Sequence, residues 1–192
     1  MGSAALSPWR HHRPGLNDHF LWISESRTRC FREWQLLAHL QDLGLPAPKP
    51  VAAHYRRRGW SYTADLVTVR IPDVEPFSSR LQRGKTDATI WADVGRCIAA
   101  FHGAHIYHAD LTAHNLQIDS ANRIFLLDFD RGRVRHDRRD WRAANLARLH
   151  RSLIKISGTR PEGESRASFG VREWEWLMAG YQTAASHRRT IP

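Results

Sequence analysis

An α+β chain is predicted, with a small β-rich N-terminal part at 1–70 and a mostly helical remainder at 71–192, together one domain. Three observations predict it. Short runs of apolar and β-branched residues, bracketed by turn residues, occupy the first third. Long stretches with apolar residues at helical spacing occupy most of the rest. Between two of them a polar loop leads through a turn into a brief apolar strand, 124–127, that ends on Asp128-Phe129-Asp130. A length of 192 residues supports one good core or two small lobes.

In chain order, 9–13 and 20–23 are candidate strands, with Pro14, Gly15 and Asn17 turning between them. Residues 25–43 are a predicted helix, with Phe31, Trp34, Leu37, Ala38 and Gln41 recurring near helical spacing and Gly44 as the stop signal. The stretch LPAPKP at 45–50 is extended, because proline restricts itself and its predecessor. Strands are predicted at 51–54 and 62–69 around a basic turn, Arg56-Arg57-Arg58-Gly59, the second leading into a hinge at 68–72. A short helix is expected at 77–83.

The clearest amphipathic helix is 87–102, where Ile90, Val94, Cys97, Ile98 and Phe101 share a face and deliver the chain to His108. The hairpin turn Ser120-Ala121-Asn122-Arg123 precedes the apolar strand. Residues 140–156 are a helix with Trp141, Leu146, Leu149 and Leu153 inward, 158–168 a loop, and 171–186 a last helix packing through Trp174, Leu177, Met178 and Tyr181.

Lysine and arginine number 29 against 19 acidic residues, a net charge of +10, and the only lysines are Lys49, Lys85 and Lys155. The positive charge is therefore nearly all arginine, whose planar fork matches carboxylate and phosphate geometry. That balance suggests an anionic partner: nucleic acid, an anionic membrane surface or an anionic substrate. No recognition-helix or aromatic-platform motif supports nucleic acid. Cys30 and Cys97 fall on apolar helix faces and read as core thiols, not a disulfide. No signal peptide and no apolar run of about 18 residues is seen, so a soluble protein, or one held on a membrane from outside, is expected.

The chemistry concentrates in 108–130, HADLTAHNLQIDSANRIFLLDFD. His108, Asp110 and Asn115 stand in the order H-x-D-L-x-x-x-N, and Asp128 follows Asp110 by 18 residues. This order resembles the catalytic and metal loops of the protein-kinase set, with Asp-Phe-Asp where Asp-Phe-Gly is usual. Phosphoryl transfer from ATP asks a protein mainly for positioning and charge neutralisation. Asp110 is then the catalytic carboxylate beside the acceptor hydroxyl. Asp128 and Asn115 are the metal ligands, offering the hard oxygens that Mg²⁺ prefers. His108 braces the loop. A zinc site among His102, His105, His108 and His114 is the competing reading; it leaves Asn115 and the Asp128 strand unexplained.

HADLTAHN, FLLDFDRGR, Trp141 and NLARLHRSL together resemble the bacterial 3-deoxy-D-manno-octulosonic acid kinase (Kdo kinase) family. The resemblance continues, more weakly, in RCFREWQLLAHLQDLGLPAPKP and ADLVTVRIPD, and departs at Thr112 and Val69. It implies a protein-kinase-like fold with a reduced or truncated N-terminal lobe, ATP and Mg²⁺ as cofactors, and phosphorylation of the 4-hydroxyl of a Kdo sugar on Kdo–lipid A. It further implies a peripheral place on the cytoplasmic face of the inner membrane. By the same resemblance Glu33 is the helix carboxylate that pairs with a phosphate-holding cation. No lysine precedes Lys49, so Arg10 or Arg13 stands in for that cation. No G-x-G-x-x-G occurs, and counting back the phosphate-covering hairpin falls before Met1; a truncated, late-started or degraded copy is expected.

Beyond Asp130 the chain is short and arginine-rich and has no Ala-Pro-Glu, which points to a small-molecule or glycolipid acceptor instead of a peptide. Arg131, Arg133 and Arg135 are the candidate grips on its anionic groups; a charge run is otherwise a solvated face. The rival to an enzyme is a kinase-shaped remnant that serves as a binding module.

Overall fold

The computed structural model describes residues 6–11, 29–58, 61–136, 140–158 and 169–187. The chain divides into two compact units, Met1–Ile71 with Phe129–Gly132, and Pro72–Asp128 with Arg133–Pro192.

The first unit is built on an antiparallel sheet in the order β1-β3-β2, from β1 (Leu6–His11), β2 (Pro50–Arg58) and β3 (Ser61–Val69). β1 begins three residues before the predicted 9–13; the strand predicted at 20–23 lies outside the described residues. β2 is longer than predicted. Its ladder runs on from Arg56↔Thr63 to Arg58↔Ser61, so the arginines expected in a turn are strand residues.

Helix α1 (Arg29–Asp42) ends as its sequence demands. Gly44 takes the left-handed φ of 65° that a side chain resists, and its N–H donates to the Gln41 carbonyl while that of Leu45 reaches back to Leu40. The inner face differs from the predicted one. Cys30, Glu33, Leu36, Leu37 and Leu40 are buried, and of the five residues expected there only Leu37 is among them. The stripe runs through Glu33, a residue that a pattern of apolar residues counts as outward. Phe31 is half-buried and meets the Tyr55 ring edge-on, with centroids 6.2 Å apart.

In the second unit the predicted helices form as α2 (Phe77–Gln82), α3 (Ala88–Gly103), α4 (Trp141–Ser157) and α5 (Val171–His187). Two start on aspartate caps: Asp87 accepts from the Ile90 N–H at 2.9 Å and Asp140 from the Ala143 N–H at 3.1 Å. Strands β4 (Glu75–Pro76), β6 (Leu116–Ile118) and β7 (Ile124–Leu126) make one small sheet; β5 (Ile106–Tyr107) and β8 (Arg133–Val134) make another. Asp119 ties the β6–β7 hairpin, accepting from the N–H groups of Ala121 and Arg123 at 2.9 and 2.8 Å.

The core of this unit is the α3 face of Ile90, Trp91, Val94, Ile98 and Phe101, joined by Leu149, Leu153 and Leu177. Both cysteines are buried free thiols, and burial pushes Cys97 up to about 12. α3 and α5 cross at two glycines. A Cβ on Gly95 would fall inside the radius of the Leu177 carbonyl oxygen, and one on Gly180 inside that of Ala92.

His102, buried on α3, shares a hydrogen bond of 2.9 Å between Nδ1 and the Tyr181 hydroxyl and lies edge-on to the Trp141 ring. Burial lowers it to about 4, with Arg142 and His108 adding to the shift and Asn145 and Asp140 opposing it.

Two predictions follow from the packing. Gly180→Ala should cost roughly 1–3 kcal/mol, because two helix backbones must part. Gly158→Ala, where the nearest atom to the new Cβ is 3.6 Å away, should cost far less; urea melts of both check this. For His102, the unfolded chain takes up a proton near the ordinary histidine value of 6.5 and the folded one only at about 4. Its contribution to stability is full above the unfolded value and is lost as pH falls through that window, by roughly 3 kcal/mol. Melts from pH 7 to pH 4 should show the slope, and His102→Gln should flatten it.

Candidate active site

The site begins where α3 ends. His105 adopts a left-handed φ of 62°, turning the chain into β5, and β5 delivers His108 to the interior. The His108 ring is the centre of a hydrogen-bonded frame. Nε2 lies 2.8 Å from the Leu127 carbonyl and Nδ1 lies 3.2 Å from the Asp110 amide. The amide can only donate and the carbonyl only accept, so the partners assign the neutral tautomer with its proton on Nε2. Burial lowers the pKa of His108, and the nearby Asp128 and Asp110 carboxylates oppose that shift.

Asn115 closes the frame from the other side. Its Nδ2 donates to the Asp110 carbonyl at 2.8 Å, and its own carbonyl accepts from the Leu127 N–H at 2.8 Å. Leu127 is thus held through both backbone polar groups, by His108 and by Asn115. Asp128 follows it directly, exposed and at a left-handed φ of 61°. Such a φ on a non-glycine residue costs of order 1 kcal/mol or more and persists only where its surroundings impose it. Asp110 also turns its carboxylate outward, where Oδ1 accepts from Arg148 Nη1 at 3.2 Å.

The frame therefore joins Asp110, Asn115 and Leu127, the chain neighbour of Asp128. The donor set suits a hard cation. With Nδ2 committed to Asp110, the amide oxygen of Asn115 is the atom left to face elsewhere, and Asp128 offers a carboxylate at a strand end. Among the described residues no three or more His, Cys, Asp or Glu gather as a metal cluster. The four histidines of the zinc reading each have other neighbours: His102 Tyr181, His105 the His136 ring, His108 Leu127, and His114 the Ser78 hydroxyl.

The remaining predicted residues divide between the units. Arg133 and Arg135 lie in the second, both with Cζ over the Tyr107 ring, at 5.5 and 5.0 Å. Glu33, Arg10 and Arg131 lie in the first. Glu33 is buried on α1, Arg10 stands opposite Asp65 in the sheet register, and Arg131 is exposed at a φ of 59°. The side chain of Arg10, and Arg13 altogether, lie outside the described residues.

Sequence reasoning missed a pair in the first unit. Arg29, on α1, grips Asp130 with two donors, Nε to Oδ1 at 3.0 Å and Nη2 to Oδ2. Close by, a Cβ on Gly132 would lie 2.7 Å from Leu36 Cδ2 and 2.8 Å from the Phe129 carbonyl oxygen, so α1 approaches the loop at glycine distance. The available signal was the aspartate standing where the kinase set has glycine, which called for a basic partner.

These features define a kinase-like protein. The fold aligns with the crystal structure of WbdD over 94% of this chain and 41% of that one, with a TM-score of 0.52 and 16% identity. A second WbdD structure, described as a bifunctional kinase-methyltransferase, aligns with a TM-score of 0.50 and 16% identity over 94% and 40% of the two chains. Residues 16–181 match the lipopolysaccharide kinase (Kdo/WaaP) family, and the chain belongs to that family. Among its relatives is a 3-deoxy-D-manno-octulosonic acid kinase of Xanthomonas campestris pv. campestris (strain B100), 45% identical over 87% of this chain and 65% of the relative. A protein of the same description from Xylella fastidiosa (strain M12) is 38% identical over 96% of this chain and 73% of the relative. The chain thus spans just under two thirds of the length of the Xanthomonas relative.

The Arg29–Asp130 pair should show a measurable coupling, since two-point, half-buried pairs exceed exposed ones. A double-mutant cycle with Arg29→Ala and Asp130→Ala, read by urea melts, should give about 1 kcal/mol of interaction. Strictly additive single changes would show that the pair contributes nothing.

Proposed function

We propose that this protein is an ATP-dependent phosphotransferase acting on a Kdo sugar of the lipopolysaccharide inner core, with the 4-hydroxyl of Kdo on Kdo–lipid A as acceptor. The observation that carries the proposal is the frame in which His108 and Asn115 bind both Asp110 and Leu127, the neighbour of Asp128. A remnant needing no chemistry has no use for two outward carboxylates braced by a buried imidazole. The family membership and the names of the relatives support the choice of acceptor.

In this reading Asp110 orients the acceptor hydroxyl and takes its proton as the hydroxyl oxygen bonds to the γ-phosphorus of ATP. The bond from that phosphorus to the bridging oxygen breaks, and ADP leaves. Asp128 and the amide oxygen of Asn115 would hold Mg²⁺, which supplies charge neutralisation at the phosphates when bound. His108 keeps Asp110 and Leu127 in register by staying neutral. Arg10 is assigned to the nucleotide phosphates, with Glu33 as the carboxylate that pairs with that cation, and Arg131, Arg133 and Arg135 to the anionic groups of the acceptor. The acceptor's lipid places the protein on the cytoplasmic face of the inner membrane as a peripheral protein. No helix among the described residues is long and apolar enough to cross a membrane.

Incubation with labelled ATP, Mg²⁺ and Kdo–lipid A, beside a heptose-bearing acceptor, tests the proposal. Label should pass to the Kdo acceptor, and Asp110→Asn should slow transfer by roughly 10²–10⁴-fold. Near-normal turnover by that variant would reject the role of Asp110. No transfer by the unaltered protein would leave the binding-module reading in its place.

A further inference from the structure

Helix α4 carries three polar residues, Asn145, Arg148 and Ser152, at steps of three and four that place them on one stripe. Each reaches a different residue of the loop 108–115. Asn145 is buried and bonds both backbone groups of His108, its Nδ2 donating to the carbonyl at 3.0 Å and its Oδ1 accepting from the N–H at 3.3 Å. Ser152 Oγ accepts from the Ala113 N–H at 3.2 Å. Between these two tethers Arg148 donates to the Asp110 carboxylate. The stripe is the N-x-x-R-x-x-x-S within NLARLHRSL, whose leucines, Leu146, Leu149 and Leu153, are buried in the core.

The middle contact differs from its neighbours. The Arg148 side chain is 46% exposed and that of Asp110 57%, so the ion pair contributes little to stability. Guanidinium has five N–H donors, and the contact with Asp110 Oδ1 uses one. A cation is thus held at hydrogen-bond distance from the carboxylate assigned as general base, on a helix tethered to the same loop on both sides. In that place it can bind an oxyanion while the acceptor hydroxyl meets Asp110.

We infer that Arg148 binds an oxyanion at the reacting hydroxyl, and that Asn145 and Ser152 are positioning residues that set its height over the loop. The inference deepens the proposed phosphotransferase reading and rests on it. Two sources of the oxyanion fit the chemistry: the carboxylate carried by the acceptor sugar, and the oxygens of the phosphoryl group in transfer. Both are anionic oxygens that a guanidinium fork binds at two points.

The test uses the full chain with Arg148→Gln, Arg148→Lys, Ser152→Ala and the exposed same-charge control Arg96→Gln. Acceptors are Kdo–lipid A and the same compound with its Kdo carboxyl methyl-esterified. Kinetics are joined by calorimetric binding of each acceptor without nucleotide, and melts confirm folding. If the acceptor carboxylate is the ligand, Arg148→Gln weakens nucleotide-free binding of Kdo–lipid A and raises its KM by roughly 10- to 100-fold. The KM for ATP stays constant, the ester binds variant and unaltered protein alike, and Arg148→Lys recovers part of the loss. If the phosphoryl group is the ligand, kcat falls by a similar factor for both acceptors and nucleotide-free binding is unchanged. Either outcome supports the inference, with Ser152→Ala moving the same parameter as Arg148→Gln, KM in the first case and kcat in the second, by a smaller factor, and Arg96→Gln matching the unaltered protein. Unchanged kcat, KM and binding in Arg148→Gln, with the unaltered protein active, would overturn the inference alone. An unaltered protein that transfers no phosphate would overturn the reading beneath it as well.

Discussion

The second unit depends on one buried, uncharged imidazole. His108 commits its two ring nitrogens in opposite senses, one donating to Leu127 and one accepting from Asp110. Proton uptake would set a second N–H against the Asp110 amide and place a charge where little water reaches it. Loss of the ring would remove both bonds and leave a part-buried donor and acceptor to find other partners. A single small side chain therefore ties together two chain segments that carry the candidate carboxylates, and does so with bonds of fixed direction. The same constraint accounts for Asn145, whose amide occupies the backbone groups of His108 and leaves the ring free to face the loop.

Rigidity in this unit is layered around that frame. α3 brings the chain to His108 and is locked to α5 by two glycines that admit no Cβ. The Asp87 and Asp140 caps fix where α3 and α4 begin. Asp119 fixes the hairpin that returns the chain to Asp128. The three aspartates satisfy backbone groups that would otherwise be open, and the strain at Asp128 is what such over-determination permits.

The first unit shows how one changed residue in a motif draws in a partner. Glycine in the third position of the metal loop would ask nothing of its surroundings. Asp130 instead places a carboxylate there, and Arg29 at the start of α1 answers it with two donors. The bare backbone of Gly132 lets Leu36 come close to the same loop. α1 is then tied to the segment that follows Asp128 by a charge and by a contact, while Glu33 lies buried one turn along.

Much of this was legible in the chain itself. The α1 stop was announced by Gly44, the α3 and α4 cores by apolar residues at helical spacing, and the loop by the order of His108, Asp110 and Asn115. These are local signals, set by hydrogen bonds and periodicity within a few residues. The buried face of α1 was misread because burial of Glu33 is decided by what packs against it, which no local pattern carries. The arginines at 56–58 read as a turn and lie in strand, because cross-strand pairing overrode their polarity. The Arg29–Asp130 pair and the meeting of Arg148 with Asp110 join residues 101 and 38 positions apart. Sequence alone determined which side chains could do the chemistry and on what elements they ride. Only the tertiary structure decided which of them meet, because a hydrogen bond's partner is set by distance and direction in space and not by separation along the chain.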